Sequence, residues 1–142
     1  TFGPVGPYLC LLSPGDFPRL SDLRLTLTVN GEPRQSASTS ELVFGPAATI
    51  TELSSVQDLF VGDLIATGTP AGCALRVPSP TMRRIGGLLS DSTRFRIFVK
   101  GQEKRREYLR PGDVVESRIQ SADGSIDLGV QRNRIVAAER AS

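Results

Sequence analysis

From position 23 to position 29 apolar and polar side chains alternate strictly, with Leu23, Leu25, Leu27 and Val29 on one side and Arg24, Thr26 and Thr28 on the other. A period of two predicts a half-buried strand. Asn30-Gly31 follows at once. Both residue types accept positive φ, so the pair predicts a tight reversal into a return strand over residues 33–37. Further along, Arg110-Pro111-Gly112-Asp113 predicts a turn into a strand over residues 114–119. Asp123-Gly124 then predicts a hairpin turn into residues 126–130, with a last strand through Ile135-Val136. Residues 8–12 form a short apolar run stopped by Ser13-Pro14-Gly15-Asp16 and read as another strand. So does the alternation of Phe95, Ile97 and Val99 with Arg94, Arg96, Phe98 and Lys100.

Helical spacing is scarcer. Ala47, Ile50, Leu53, Val56 and Leu59 recur by threes and predict a short helix over residues 46–59, which its Thr and Ser content weakens. Pro80 in a first turn, with Met82, Ile85, Leu88 and Leu89 on one side, predicts a second over residues 80–89. Val61-Gly62-Asp63-Leu64-Ile65 reads as a turn opening a short buried strand, and it repeats the Gly-Asp opening of Arg110-Pro111-Gly112-Asp113 through shared turn chemistry. Many strands and few helices favour a curled, mixed β architecture over a doubly wound sheet, which needs regular strand–helix alternation.

Composition adds exclusions. With 142 residues the chain is one domain or part of a larger one. Aromatics are 6% and Trp is absent, so the core must be built from Leu, Ile and Val. There is no histidine, which removes the usual general base near neutral pH and a common metal ligand. Cys10 and Cys73 fit no metal or redox spacing and read as reduced thiols, as expected of a cytoplasmic protein. No apolar run has the length of a membrane span, so no membrane partner is expected. The net charge of +2 is uneven: residues 76–110 carry ten basic and three acidic side chains, and the remainder seven and twelve. No stacking aromatics are interleaved with Arg83, Arg84, Lys104, Arg105 and Arg106, so the basic segment reads as a solvated face or a site for anions, with no nucleic-acid partner.

Gly68-Thr69-Pro70-Ala71-Gly72 is the most informative local feature. It lacks the Gly-Lys-Ser/Thr of a phosphate-binding loop. Pro70 stiffens it, the glycines let backbone donors approach a ligand, and Thr69 adds a hydroxyl donor toward a carboxylate or oxyanion. On the residues alone it is either a structural turn or a ligand loop.

Several stretches, taken in order, resemble the C-terminal part of the fumarylacetoacetate hydrolase family, which includes fumarylpyruvate and acylpyruvate hydrolases. They are Thr1-Phe2-Gly3-Pro4-Val5-Gly6-Pro7; Leu25-Thr26-Leu27-Thr28-Val29-Asn30-Gly31-Glu32, with Arg34-Gln35 and Ser38-Thr39-Ser40-Glu41-Leu42-Val43-Phe44; residues 62–72; Leu109-Arg110-Pro111-Gly112-Asp113-Val114-Val115-Glu116; and Asn133-Arg134-Ile135-Val136. The resemblance implies an incomplete domain of curled β-sheet or β-roll type with a few short helices, spanning residues 1–142. A basic insert at about residues 75–108 departs from the shortest family members, and residues 121–131 lengthen the final hairpin. It implies Mg²⁺ or Mn²⁺ held by a Glu-x-Glu pair and a later aspartate, that aspartate lying just before the position of Thr1 and followed by Phe2 and Gly3. A His–Glu dyad would activate water. None of these ligands has a counterpart here, and Asp16 and Asp22 read as turn residues.

What the resemblance assigns to this chain is substrate binding by Thr69 and the Gly68 backbone, loop shaping by Pro70 and Gly72, and pocket support by Gln35, Thr39 and Ser40. The implied substrate is a 2-keto or 2,4-dioxo acid, cleaved hydrolytically at a C–C bond by a homodimer. The alternatives are an isomerase, decarboxylase or hydratase of the same family, and a truncated noncatalytic or assembly module. Taken alone, the chain is expected to be inactive.

Overall fold

The computed structural model describes residues 3–75, 79, 89–103 and 105–137. Its centre is a four-stranded sheet of β1 (Leu23–Val29), β2 (Glu32–Ser38), β3 (Val114–Ser121) and β4 (Asp127–Arg134). The strands lie in the order β2-β1-β3-β4, each antiparallel to its neighbour. The Leu/Thr alternation therefore does form a strand, and a central one. Asn30 (φ 53°) and Gly31 (φ 82°) both take positive φ at the hairpin tip, where the twist suits a two-residue connection. The Asn30 side chain then ties this tip to the far turn, donating to Asp113 Oδ1 and accepting from the Val114 N–H, both at 2.9 Å. In β2, Gln35 lies opposite Leu27 and Pro33 opposite Thr28, so Arg34 is the extra residue of a β-bulge.

Both Gly-Asp turns close in the same way. Asp113 accepts the Arg110 N–H at 2.7 Å, and Asp63 accepts the Phe60 N–H at 2.8 Å. Only the first opens a strand. After Asp63 the chain stays irregular, with Val61 and Leu64 exposed, because no neighbouring strand offers them a ladder among the described residues. The expected strand at residues 8–12 is missing for the same reason. There Leu9 and Leu11 are exposed, and the Tyr8 ring lies over Gly129 of β4. The separate last strand through Ile135-Val136 is also absent. One continuous β4 runs to Arg134, and Ile135 continues its pairing with Gly112 and Asp113 through two 2.8 Å backbone bonds.

Helix α1 (Pro46–Val56) starts with Pro46 in its first turn and stops three residues short of the expected end. Its Thr49 and Thr51 hydroxyls donate to carbonyls four residues back, which satisfies them inside a helix they would otherwise weaken. Helix α2 (Asp91–Glu103) replaces the strand expected around Phe95 to Val99. Asp91 pairs with Arg94 in its first turn, Lys100 lies in its last, and half-buried Phe98 and Gln102 are one turn apart. End charges and turn spacing thus override a short alternation that finds no partner strand. The helix expected at residues 80–89 lies outside the described residues up to Leu88, as do Thr1 and Phe2 and part of the basic insert. A 3₁₀ segment, Pro14–Asp22, is closed by Ser13 and Asp16 and leads into β1.

The sheet is open: β2 and β4 are its edges and do not pair with each other, so the described residues form a mixed β/α structure without a closed roll. Its buried apolar side chains are Leu23, Val29 and Ile126, while Val5, Tyr8, Val43, Phe44 and Phe60 stay exposed. Cys10 and Cys73 are both free thiols. No helix among the described residues is long and apolar enough to cross a membrane.

Carboxylates lock the turns. Asp113 is held below the usual range by the Asn30 amide and the Arg110 N–H, Asp123 by the Ser121 and Ser125 hydroxyls, and Asp127 by Arg118 and the Gly129 N–H. A carboxylate depressed in the folded state binds its proton more readily when unfolded. Its stabilisation is therefore present above the unfolded pKa and lost as pH falls through the folded one. The melting temperature is expected to be level above about pH 5 and to fall below about pH 4. A thermal unfolding series that stays flat into that acid range would contradict this.

Candidate functional site

The Gly68-Thr69-Pro70-Ala71-Gly72 loop lies against edge strand β2 and is held there by one side chain. Gln35 Nε2 donates to Thr69 Oγ1 and to the Pro70 carbonyl, both at 3.0 Å. A single amide nitrogen thus spends both donors on the loop. With its oxygen accepting from Gln35, the Thr69 hydroxyl keeps its own proton to donate outward, and Thr69 is exposed. At the far end of the loop Gly72 (φ 104°) sits on the Arg34 carbonyl, so a Cβ there would lie 2.0 Å from that oxygen. The Cys73 thiol donates to the Pro70 carbonyl at 3.7 Å and closes the turn from below.

Beside the loop is a concavity of about 1130 Å³. Its floor is the sheet, through Leu25, Ala37 and Ile119, and its walls are α1, the turn at residues 38–44 and the loop itself. Leu25 and Ile119 are direct cross-strand partners, so the β1 alternation supplies the floor. Gly68, Thr69, Pro70 and Thr39 all line this space. Gln35 acts from behind the loop, Gly72 faces a different hollow, and Ser40 is outside the lining residues.

Thr39 and Ser40 have local partners. Thr39 Oγ1 accepts the Leu23 N–H at 2.9 Å and ties the turn to the start of β1. Ser40 donates to Ser38 Oγ at 2.8 Å, in a capping arrangement that Glu41 completes by accepting the Ser38 N–H. Sequence reasoning missed Cys73, whose place four residues after Thr69 was the available signal. It also missed Glu41 and Glu52, the carboxylates that line the concavity. No arginine or lysine is among its described lining residues. The described residues thus offer an anion hydrogen-bond donors and an apolar floor without a countercharge.

The described residues contain no group of three or more His, Cys, Asp or Glu able to hold a metal ion. Mg²⁺ or Mn²⁺ does not fit the donors of the described residues.

The family model described as fumarylacetoacetate (FAA) hydrolase C-terminal matches residues 1–136. A candidate hydrolase of Burkholderia lata is 34% identical over 111 residues, covering 78% of this chain and 36% of that protein. An uncharacterised protein of Archaeoglobus fulgidus is 43% identical over 75 residues, covering 53% of this chain and 28% of its own length. A crystal structure of a candidate HpcE protein from Mycobacterium smegmatis superposes with a TM-score of 0.58 at 28% identity, covering 89% of this chain and 35% of that one. The chain therefore spans about a third of the length of these relatives.

Proposed function

The chain belongs to the fumarylacetoacetate hydrolase family, and from that premise we propose that residues 1–142 are the C-terminal portion of a divalent-metal-dependent hydrolase that cleaves a C–C bond in a 2,4-dioxo acid such as an acylpyruvate or fumarylpyruvate. The single observation that supports this best is the clamped loop, which presents the Thr69 hydroxyl and the Gly68 backbone at the rim of an apolar-floored concavity. Such a rim suits the carboxylate end of a small keto acid, and the floor suits the acyl end.

The reaction adds water to the distal carbonyl. The C–C bond breaks, its electron pair passes to the pyruvate fragment as an enolate, and a proton then returns to that carbon. The part of this chain is to bind and orient: Thr69 donates to the carboxylate, and Gln35 keeps Thr69 in place. The cation that an anionic substrate needs would come from outside the described residues, since carboxylates are the charged groups these bring to the concavity. The Mg²⁺ or Mn²⁺ ligands would come from a part of the protein N-terminal to these residues. A basic insert at about residues 75–108, a homodimer and a cytoplasmic location complete the proposal.

Thr69→Ala in the full-length protein, assayed on acylpyruvates with Mg²⁺ present, is expected to lower kcat/KM by roughly 10- to 100-fold through loss of one charge-assisted hydrogen bond. Thr69→Ser should restore most of it. Unchanged turnover and affinity in the alanine variant would overturn the proposal.

A further inference from the structure

A second hollow, of about 620 Å³, lies beyond the loop and shares only Ala71 with the Thr69 concavity among its lining residues. Its described charged lining residues are Arg34, Arg105 and Glu107, beside Gly72 and Cys73. Among the described residues two guanidinium groups and one carboxylate line it, whereas those lining the Thr69 concavity include carboxylates and no cation.

Three features make this more than a basic surface. Arg34 is the bulged residue of β2, and a bulge re-aims the side chain it carries. Its Nε is shut away from solvent and has no hydrogen-bond partner. A buried unpaired donor is costly, and more so on a charged group, so an acceptor that reached it would be favoured. Arg105 is held in place: its side chain is 16% exposed, and Nε and Nη2 both go to the Glu107 carboxylate, at 3.4 and 2.7 Å. That pairing neutralises Glu107 and leaves three of the five guanidinium N–H donors for another acceptor. A fork fixed by a neighbouring carboxylate, beside a second arginine with an orphaned donor, matches the geometry in which guanidinium groups bind oxyanions.

We propose that Arg34 and Arg105 form an anion-binding site, separate from the Thr69 concavity, for a small oxyanion with at least two charged oxygens, of the phosphate or dicarboxylate class. Gln35, the residue after Arg34, is the clamp on Thr69, so an occupant sits one residue from the group that positions the loop.

Isothermal titration of the full-length protein with inorganic phosphate and, separately, with succinate tests this. Saturable millimolar or tighter binding of at least one of them is expected, and the arm that binds identifies the class. Arg34→Gln and Arg105→Gln should each weaken that binding roughly tenfold or more, the loss expected for a charge-assisted contact. Thr69→Ala should leave it unchanged. Circular dichroism checks that each variant is folded. Should Arg34→Gln fail that check, Arg34→Lys, which keeps the charge and removes the Nε donor, should still weaken binding. Three results would overturn the proposal: no saturable binding of either anion, equal binding in all variants, or binding lost with Thr69→Ala and kept without Arg34.

Discussion

Gly72→Ala is expected to destabilise the protein by about 2–4 kcal/mol and to release the Thr69 loop from β2. Two effects add. At φ 104° any side chain is strained, and the new Cβ would sit 2.0 Å from the Arg34 carbonyl oxygen, where a tolerable carbon–oxygen contact is about 3.3 Å. The obstructing atom is backbone in a hydrogen-bonded hairpin, so relief must come from the loop moving off the strand. That motion would carry Thr69 and Pro70 out of reach of Gln35. Gly68→Ala is the internal control. Its φ is also 104°, but a Cβ there meets nothing within 4 Å, so only backbone strain of about 1–2 kcal/mol is expected. Urea unfolding should rank the two variants in that order, with faster amide exchange across the loop in Gly72→Ala. Equal costs would mean that the close approach to Arg34 has no energetic weight.

Leu23→Ala is expected to cost about 2–4 kcal/mol. Leu23 is 7% exposed, begins the central strand, lies opposite Ser121 of β3 and donates its N–H to Thr39. With only Val29 and Ile126 beside it as buried apolar residues among those described, truncation removes a large share of what holds β1 to its neighbours. The urea midpoint should fall with the slope unchanged. A loss below about 1 kcal/mol would show that the sheet is held by something other than these side chains.

How legible the fold was depended on how local its causes were. Asn30-Gly31, Arg110-Pro111-Gly112-Asp113 and Asp123-Gly124 carry their turn chemistry within four residues, and each turn is found where the sequence places it. The Leu23 to Val29 alternation was equally clear, since a full strand length of period two has few other uses. Short apolar runs misled. Residues 8–12, 61–65 and 95–99 all read as strands, and none is one, because a strand exists only where another backbone completes its ladder. In the last of these, Asp91, Arg94 and Lys100 already carried helix-end signals that deserved more weight than five alternating positions.

For the site, residue types and loop shape were visible while proximity was not. Gly68, Thr69 and Pro70 announced a stiff donor-bearing loop. That Gln35 clamps it from 34 residues away, that Thr39 ties its turn to β1 and Ser40 braces it by bonding Ser38, and that Arg34 and Arg105 line one hollow became visible only with the chain folded. By itself the sequence determined what backbone geometry and side-chain period dictate over a few residues: the turns, the central hairpin and the rigidity of the loop. Only the tertiary structure decided which apolar runs found partners and which polar groups met, because both depend on contacts between segments distant along the chain, and no local pattern encodes such a distance.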